Sequence, residues 1–225
     1  VDCWGYNYGN YAYLDYAFTH IDGEASQFCG VTEDGAVVCW GTDVWGSNPT
    51  VPDTVFKKVA TGASHVCGIT EDDGVECWGN DSYGQMSYVP TKQVKALDAG
   101  YYHTCAITTD DAIVCWGNYS TSYTDVDAPS GTYVDLDLSW WSSCALDDGG
   151  TAWCWGDYQS VAHGLVEVGV GDYYGCGIQD DGSLSCWGNG GIFNQTEASE
   201  SPLPPDGEFV QLSTHYIEKI QRMLS

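Results

Sequence analysis

Apolar residues alternate with other residues along this chain in short bursts. Cys29 and Val31 share one face of an extended segment, as do Cys67 and Ile69, Cys105 and Ile107, Cys144 and Leu146, and Cys176 and Ile178. After a brief acidic stretch the alternation returns, with Val37 and Cys39, Val75 and Cys77, Ile113 and Cys115, and Leu184 and Cys186. A period of two predicts strands. Each segment therefore reads as a β-hairpin, and the chain as all-β. If Cys29 faces Cys39, then Thr32 faces Ala36 and the connection is Glu33-Asp34-Gly35, whose last residue needs a left-handed backbone. Gly35, Asp73, Asp111, Gly150 and Gly182 occupy that position, where glycine carries no β-carbon and aspartate is tolerated.

The hairpin recurs. "CGVTEDGAVVCWG" from Cys29 is followed by "CGITEDDGVECWG", "CAITTDDAIVCWG", "CALDDGGTAWCWG" and "CGIQDDGSLSCWG" from Cys67, Cys105, Cys144 and Cys176, at spacings of 38, 38, 39 and 32 residues. A "CWG" at Cys3 supplies the end of a further unit, and "GEFVQLSTHY" from Gly207 supplies a beginning. About six units follow from this. Residues 1–216 are expected to form one β-propeller whose termini share a blade, since closing a ring removes exposed sheet edges. Residues 217–225 place Ile217, Ile220, Met223 and Leu224 at helical spacing, which predicts a short C-terminal amphipathic helix or tail.

The chain has eleven cysteines. Opposed residues of an antiparallel pair suit a disulfide, so the expected bridges are Cys29 with Cys39, Cys67 with Cys77, Cys105 with Cys115, Cys144 with Cys154, and Cys176 with Cys186. Zinc would need about four converging ligands, usually from close pairs, and the C-x-x-C of redox catalysts does not occur. No metal and no cofactor are expected. Cys3 is left unpaired, and it could be free, intermolecular, or joined to another segment. So many regularly placed cysteines favour an oxidising compartment, making the expected location secreted or cell-surface. The tryptophan after each second cysteine (Trp4, Trp40, Trp78, Trp116, Trp155, Trp187) points away from the sulfur and is expected to fill the wedge between blades.

"VATGASHVCGITEDDGVECWGNDSYGQ" and "LDAGYYHTCAITTDDAIVCWGN" resemble the repeats of the regulator of chromosome condensation (RCC1-like) superfamily, from Phe18 to Tyr216. The cysteine pairs are similar to those of its secreted branches, such as Crinkly-type receptor ectodomains and bacterial surface repeats. β-Lactamase inhibitory protein II is similar in fold. The resemblance implies an RCC1-like β-propeller. Family rings usually have seven blades against six units here, so the ring is six-bladed, open, or seven-bladed with one blade missing. The nuclear exchange activity is not expected to carry over to so acidic a chain.

Six Lys and Arg face 32 Asp and Glu, a net charge of -26, which excludes nucleic acid and anionic membrane surfaces as partners. No apolar run approaches a helical membrane span. His20, His65, His103 and His215 are expected at repeat positions with structural roles, and with His163 they are too scattered for a catalytic triad. No phosphate loop, nucleophile elbow or H-E-x-x-H occurs, so the chain is not expected to be an enzyme. The hairpin turns form an acidic ring on one face. The segments before each first cysteine and after each Trp-Gly emerge on the opposite face and are aromatic: Tyr101, Tyr102, Trp140, Trp141, Tyr173 and Tyr174 before, Trp45, Tyr83 and Tyr119 after. Such rings give large contact area at small entropic cost. Sequons at Asn80, Asn118 and Asn194 fall on the same face as candidate glycosylation sites. Three functions fit: an extracellular module that binds another protein or subunit through this face, a structural subunit of a filament or coat, and a carbohydrate-binding lectin.

Overall fold

The computed structural model describes residues 16–24, 27–41, 51–117, 130–156, 159–171 and 174–188. Among them lie five antiparallel sheets in chain order. The first is β1 (Phe18–Glu24), β2 (Gln27–Thr32) and β3 (Val37–Gly41). The second is β4 (Phe56–Thr61), β5 (His65–Thr70) and β6 (Val75–Gly79). The third is β7 (Val94–Ala99), β8 (His103–Thr108) and β9 (Ile113–Gly117). The fourth is β10 (Tyr133–Leu138), β11 (Ser142–Asp147), β12 (Thr151–Gly156) and an added edge strand β13 (Ser160–His163). The fifth is β14 (Leu165–Val170), β15 (Tyr174–Gln179) and β16 (Leu184–Gly188). Repeated antiparallel sheets, each packed on the next, make an all-β propeller architecture. Cys3, Trp45, Asn118, Tyr119, Tyr173, Asn194, the shared unit and the tail from residue 217 lie outside the described residues.

The hairpins form in the expected register. Cys29 lies opposite Cys39 and Cys105 opposite Cys115, and each of the five pairs is bridged with α-carbons 4.0 to 4.1 Å apart. Thr32 N–H donates to Ala36 C=O at 2.9 Å, closing the three-residue loop. The last loop residue is left-handed in every hairpin: Gly35 at φ 80°, Asp73 and Asp111 at 65°, Gly150 and Gly182 at 77°. That geometry serves the next sheet as well. Gly35 C=O accepts from Phe56 N–H at 2.9 Å, Asp73 C=O from Val94, Asp111 C=O from Tyr133, and Gly150 C=O from Leu165. Each of these four turns thus starts the following inner strand.

Successive sheets meet through their first strands, β1 against β4, β4 against β7, β7 against β10 and β10 against β14, which makes these the inner strands around the axis. The wedge between sheets has one recurring filling. Cys67 and Ile69 of the second sheet pack with Val94 and Trp116 of the third, and Cys105 and Ile107 of the third with Tyr133 and Trp155 of the fourth. The Trp after the second cysteine therefore packs back onto the disulfide of the preceding sheet, and burial of side chains as large as Trp78, Trp116 and Trp155 supplies much of the joint. On the first sheet, the positions equivalent to buried Val59 and Val66 are Ile21 and Phe28, both 39% exposed.

Polar groups complete each joint. Asp22, Asp98 and Asp137 hold one repeat position, and each Oδ2 accepts from an inner-strand N–H of the next sheet, Thr61, Leu138 and Val170, at 2.6 Å. Neighbouring inner strands share no sheet ladder, so these carboxylates satisfy backbone donors that burial would otherwise leave unpaired. The second sheet has Ala60 at this position, and there His65 Nε2 meets Thr104 Oγ1 at 2.7 Å. His103 Nε2 meets Ser143 Oγ at 2.9 Å in the same way. His20 departs from expectation. It stands on the inner strand, two residues before Asp22, with Nε2 2.9 Å from Val59 C=O, because the first sheet carries Gln27 at the position of His65.

Burial lowers both buried imidazoles, His65 to about 3 with help from neighbouring His103, and His103 to about 4. Both are neutral in the fold, whereas an unfolded chain protonates them near ~6.5. The unfolded state then binds more protons below that value, so their contribution is whole above about pH 6.5 and declines as the pH falls toward about 4. Thermal melts in a pH series are expected to show this decline, and a His65→Gln, His103→Gln variant to flatten it. Replacing both Cys105 and Cys115 by Ala is expected to lower stability by about 2 to 3 kcal/mol in denaturant unfolding, the loop-closure entropy of so short a ring.

Candidate aromatic binding face

Inner strands run toward one end of the propeller and second strands start there, so the short links between them emerge together. Two such links carry aromatic doublets, Tyr101-Tyr102 between β7 and β8, and Trp140-Trp141 between β10 and β11. The link after β6 adds Tyr83. The structure brings these five rings into one cluster. Tyr83 and Tyr102 have centroids 4.2 Å apart, Tyr101 and Tyr102 4.4 Å, Tyr101 and Trp140 4.6 Å, and Tyr102 and Trp141 5.6 Å. Such spacings are those of favourable offset and edge contacts. Tyr83 is 39% exposed and the other four are half-buried, a platform with its outer surface in solvent.

Two glycines let the links come this close. Gly117, which ends β9 at φ 91°, lies so near that a β-carbon would strike the carbonyl of Tyr102. Gly100 similarly admits the carbonyl of Ser139, drawing the third link against the fourth. The loop that bears Tyr83 is held by its own side chains: Asp81 carboxylate oxygens accept from Met86 N–H and Ser87 Oγ–H, and Gln85 Oε1 accepts from Tyr83 N–H at 2.8 Å. Trp116 Nε1–H donates to Gln85 C=O at 2.9 Å and ties the loop to the core. Asn80, the described sequon, begins this loop, with Oδ1 accepting from Ser82 N–H at 2.7 Å.

One participant escapes a reading of the sequence. Glu24, buried at the end of β1, accepts from Trp140 Nε1–H at 2.7 Å, a contact between residues 116 apart in the chain. It links the first sheet to the fourth. The available signal is register: Glu24 stands where the other sheets have Gly62, Gly100, Ser139 and Gly171. Tyr174 takes a different place from the cluster, opening β15 at the position of His65 and His103 and packing on Cys176 and Ile178.

The hydroxyls of the platform are turned to one another. Desolvation, then Tyr101 and Tyr83, which hydrogen-bond to it, push the Tyr102 phenol up to about 12. It stays neutral at ordinary pH. At the opposite end, hydrogen bonds from Thr32, Thr70 and Thr108 hold Asp34, Asp72 and Asp110 below the usual carboxylate range. Lys57 pairs with Asp73 at 2.8 Å, Lys92 with Asp110 at 3.2 Å, and Lys95 with Asp111. The acidic turns are thus closed by local partners. Among the described residues, no three of His, Cys, Asp or Glu converge for a metal ion.

With the repeat geometry in place, the comparisons with known proteins are direct. Residues 56–85 and 94–122, the second and third sheets with their following links, match the Regulator of chromosome condensation (RCC1) repeat. These two segments are RCC1 repeats. No curated protein matches it in sequence. Among solved structures, the RCC1-like propeller is similar to the Crinkly WD40 ectodomain of the Arabidopsis thaliana receptor kinase ACR4, at 23% identity and a TM-score of 0.64 over 76% of this chain and 64% of that one. It is also similar to the ectodomain of the Physcomitrella patens receptor kinase CR4, at 24% identity and a TM-score of 0.68 over 81% of this chain and 54% of that one. Prp20p of Saccharomyces cerevisiae matches at 16% identity and a TM-score of 0.59 over 72% of this chain and 56% of that one. The chain thus spans between about half and two thirds of the length of these proteins.

Trp140→Phe keeps a ring in the platform and removes its one donor, so it isolates the contact with Glu24. It is expected to lower stability by about 1 to 3 kcal/mol, read in thermal or denaturant unfolding, because a buried carboxylate loses a hydrogen bond.

Proposed function

We propose that this chain is a non-catalytic, extracellular recognition module that binds another protein through its aromatic face. The observation that carries the reading is the contiguity of Tyr83, Tyr102, Tyr101, Trp141 and Trp140, five rings from three separate links gathered into one surface. Isolated exposed aromatics are ordinary, but a partly exposed cluster of Tyr and Trp is the composition of interface hot spots. Five disulfides and the likeness in fold to receptor-kinase ectodomains support an extracellular setting. Protein partners are supported by Prp20p, a relative in fold described with binding properties to Gsp1p and histones. We further read residues 1–216 as one propeller whose termini share a unit, and the exposed Ile21 and Phe28 of the first sheet are the surface that unit would cover.

The test is truncation of the rings. Tyr101→Ala with Tyr102→Ala, and Trp140→Ala with Trp141→Ala, are compared with the parent in capture of proteins from the native source. Hot-spot rings cost ~2 kcal/mol or more each, so retention of the specific partner is expected to fall about thirtyfold or more. Unchanged capture by folded variants would refute the reading.

A further inference from the structure

We propose that the aromatic face takes an arginine-bearing segment of its partner, with guanidinium groups lying on the rings of Tyr83, Tyr102, Tyr101 and the Trp140-Trp141 doublet. The proposal rests on the reading of this face as the binding surface and adds the chemistry of what it binds.

Three observations converge on a cation. First, the face lacks positive charge of its own among the described residues. Lys57, Lys92 and Lys95 are tied to turn aspartates at the opposite end, and Lys58 stands on the inner strand of the second sheet, where it bears on His20 and Asp135. Second, carboxylates stand beside the platform, Glu24 on Trp140 and Asp81 in the loop of Tyr83. Asp81, two residues before Tyr83, is held below the usual carboxylate range by Ser87. Asp22, Asp98 and Asp137 stand on the inner strands of the first, third and fourth sheets, and the chain as a whole carries -26. A field of that sign draws a basic partner in and repels an acidic one. Third, five rings lie with centroids 4.2 to 6.1 Å apart and are only partly buried, so the surface presented to a partner is aromatic.

These features separate arginine from other occupants. A guanidinium is planar and weakly hydrated and stacks on aromatic faces, whereas a lysine ammonium is compact and strongly hydrated. A neutral sugar could also stack, but it gains nothing from a negative field, whereas a guanidinium does.

The experiment selects short random peptides, displayed on phage, against the full chain and against its Tyr101→Ala, Trp140→Ala variant. A panel of neutral oligosaccharides is run in parallel. Tyr83→Ala, at the exposed edge of the cluster, serves as a second variant in case the first does not fold, and melting curves establish folding for each. Peptides that depend on the rings are expected to be rich in arginine. Synthetic copies are expected to weaken about tenfold when each Arg becomes Lys, and about tenfold when the rings are removed. Ring-dependent peptides without arginine would overturn the proposal while leaving the face as the binding surface. Arginine peptides that bind folded ring variants equally well would also overturn it, because bulk charge alone would then explain them. Ring-dependent binding of a neutral oligosaccharide and of no peptide would overturn it in favour of a glycan. The absence of any ring-dependent ligand would remove the underlying reading as well.

Discussion

The wedge between neighbouring sheets is what the rest of this molecule depends on. From one sheet comes a disulfide with an aliphatic residue two positions on, Cys67 with Ile69 or Cys105 with Ile107. From the next come its Trp and the first residue of its inner strand, Trp116 with Val94 or Trp155 with Tyr133. A three-stranded sheet alone leaves apolar area exposed on both faces, so each blade is stable only between neighbours. The bridge across each hairpin adds a constraint on the unfolded chain that no neighbour needs to supply.

Polar chemistry then decides how the wedges are joined. Inner strands that converge on an axis cannot pair by a ladder, and their backbone donors would be stranded. The carboxylates of Asp22, Asp98 and Asp137 and the left-handed turn carbonyls answer this from two sides. The residue that closes a hairpin therefore also begins the next blade, which gives Asp73 and Asp111 a role between sheets as well as within them. The links at the other end start no strand, although Trp140 reaches Glu24 of the first sheet. They are partly exposed, and this chain fills them with Tyr and Trp. Binding surfaces commonly form on connections that a rigid scaffold positions but does not need for its own packing.

The hairpins, the five cystine pairs and the left-handed positions were legible because they are local. A period of two and a ten-residue spacing relate residues that meet within one hairpin, where strand geometry leaves little choice. The grouping of Tyr101, Tyr102, Trp140, Trp141 and Tyr83 on one end was legible for a related reason: strand direction alone assigns each link to an end. Tyr174 shows where that reasoning stops. It belongs to the aromatic run before Cys176, yet it is the first residue of β15, and the side chain at that register enters the core as His65 and His103 do.

What the chain determined by itself, then, was the unit: its strands, its staple, its turn and the end of the sheet each link occupies. Only the tertiary structure decided how units meet. Glu24 reaches Trp140 across 116 residues, His65 finds Thr104, and His20 turns to Val59 on the inner strand. These contacts depend on the angle between successive sheets, and that angle arises from the summed packing of bulky side chains in each wedge. Periodicity along one strand carries no record of it.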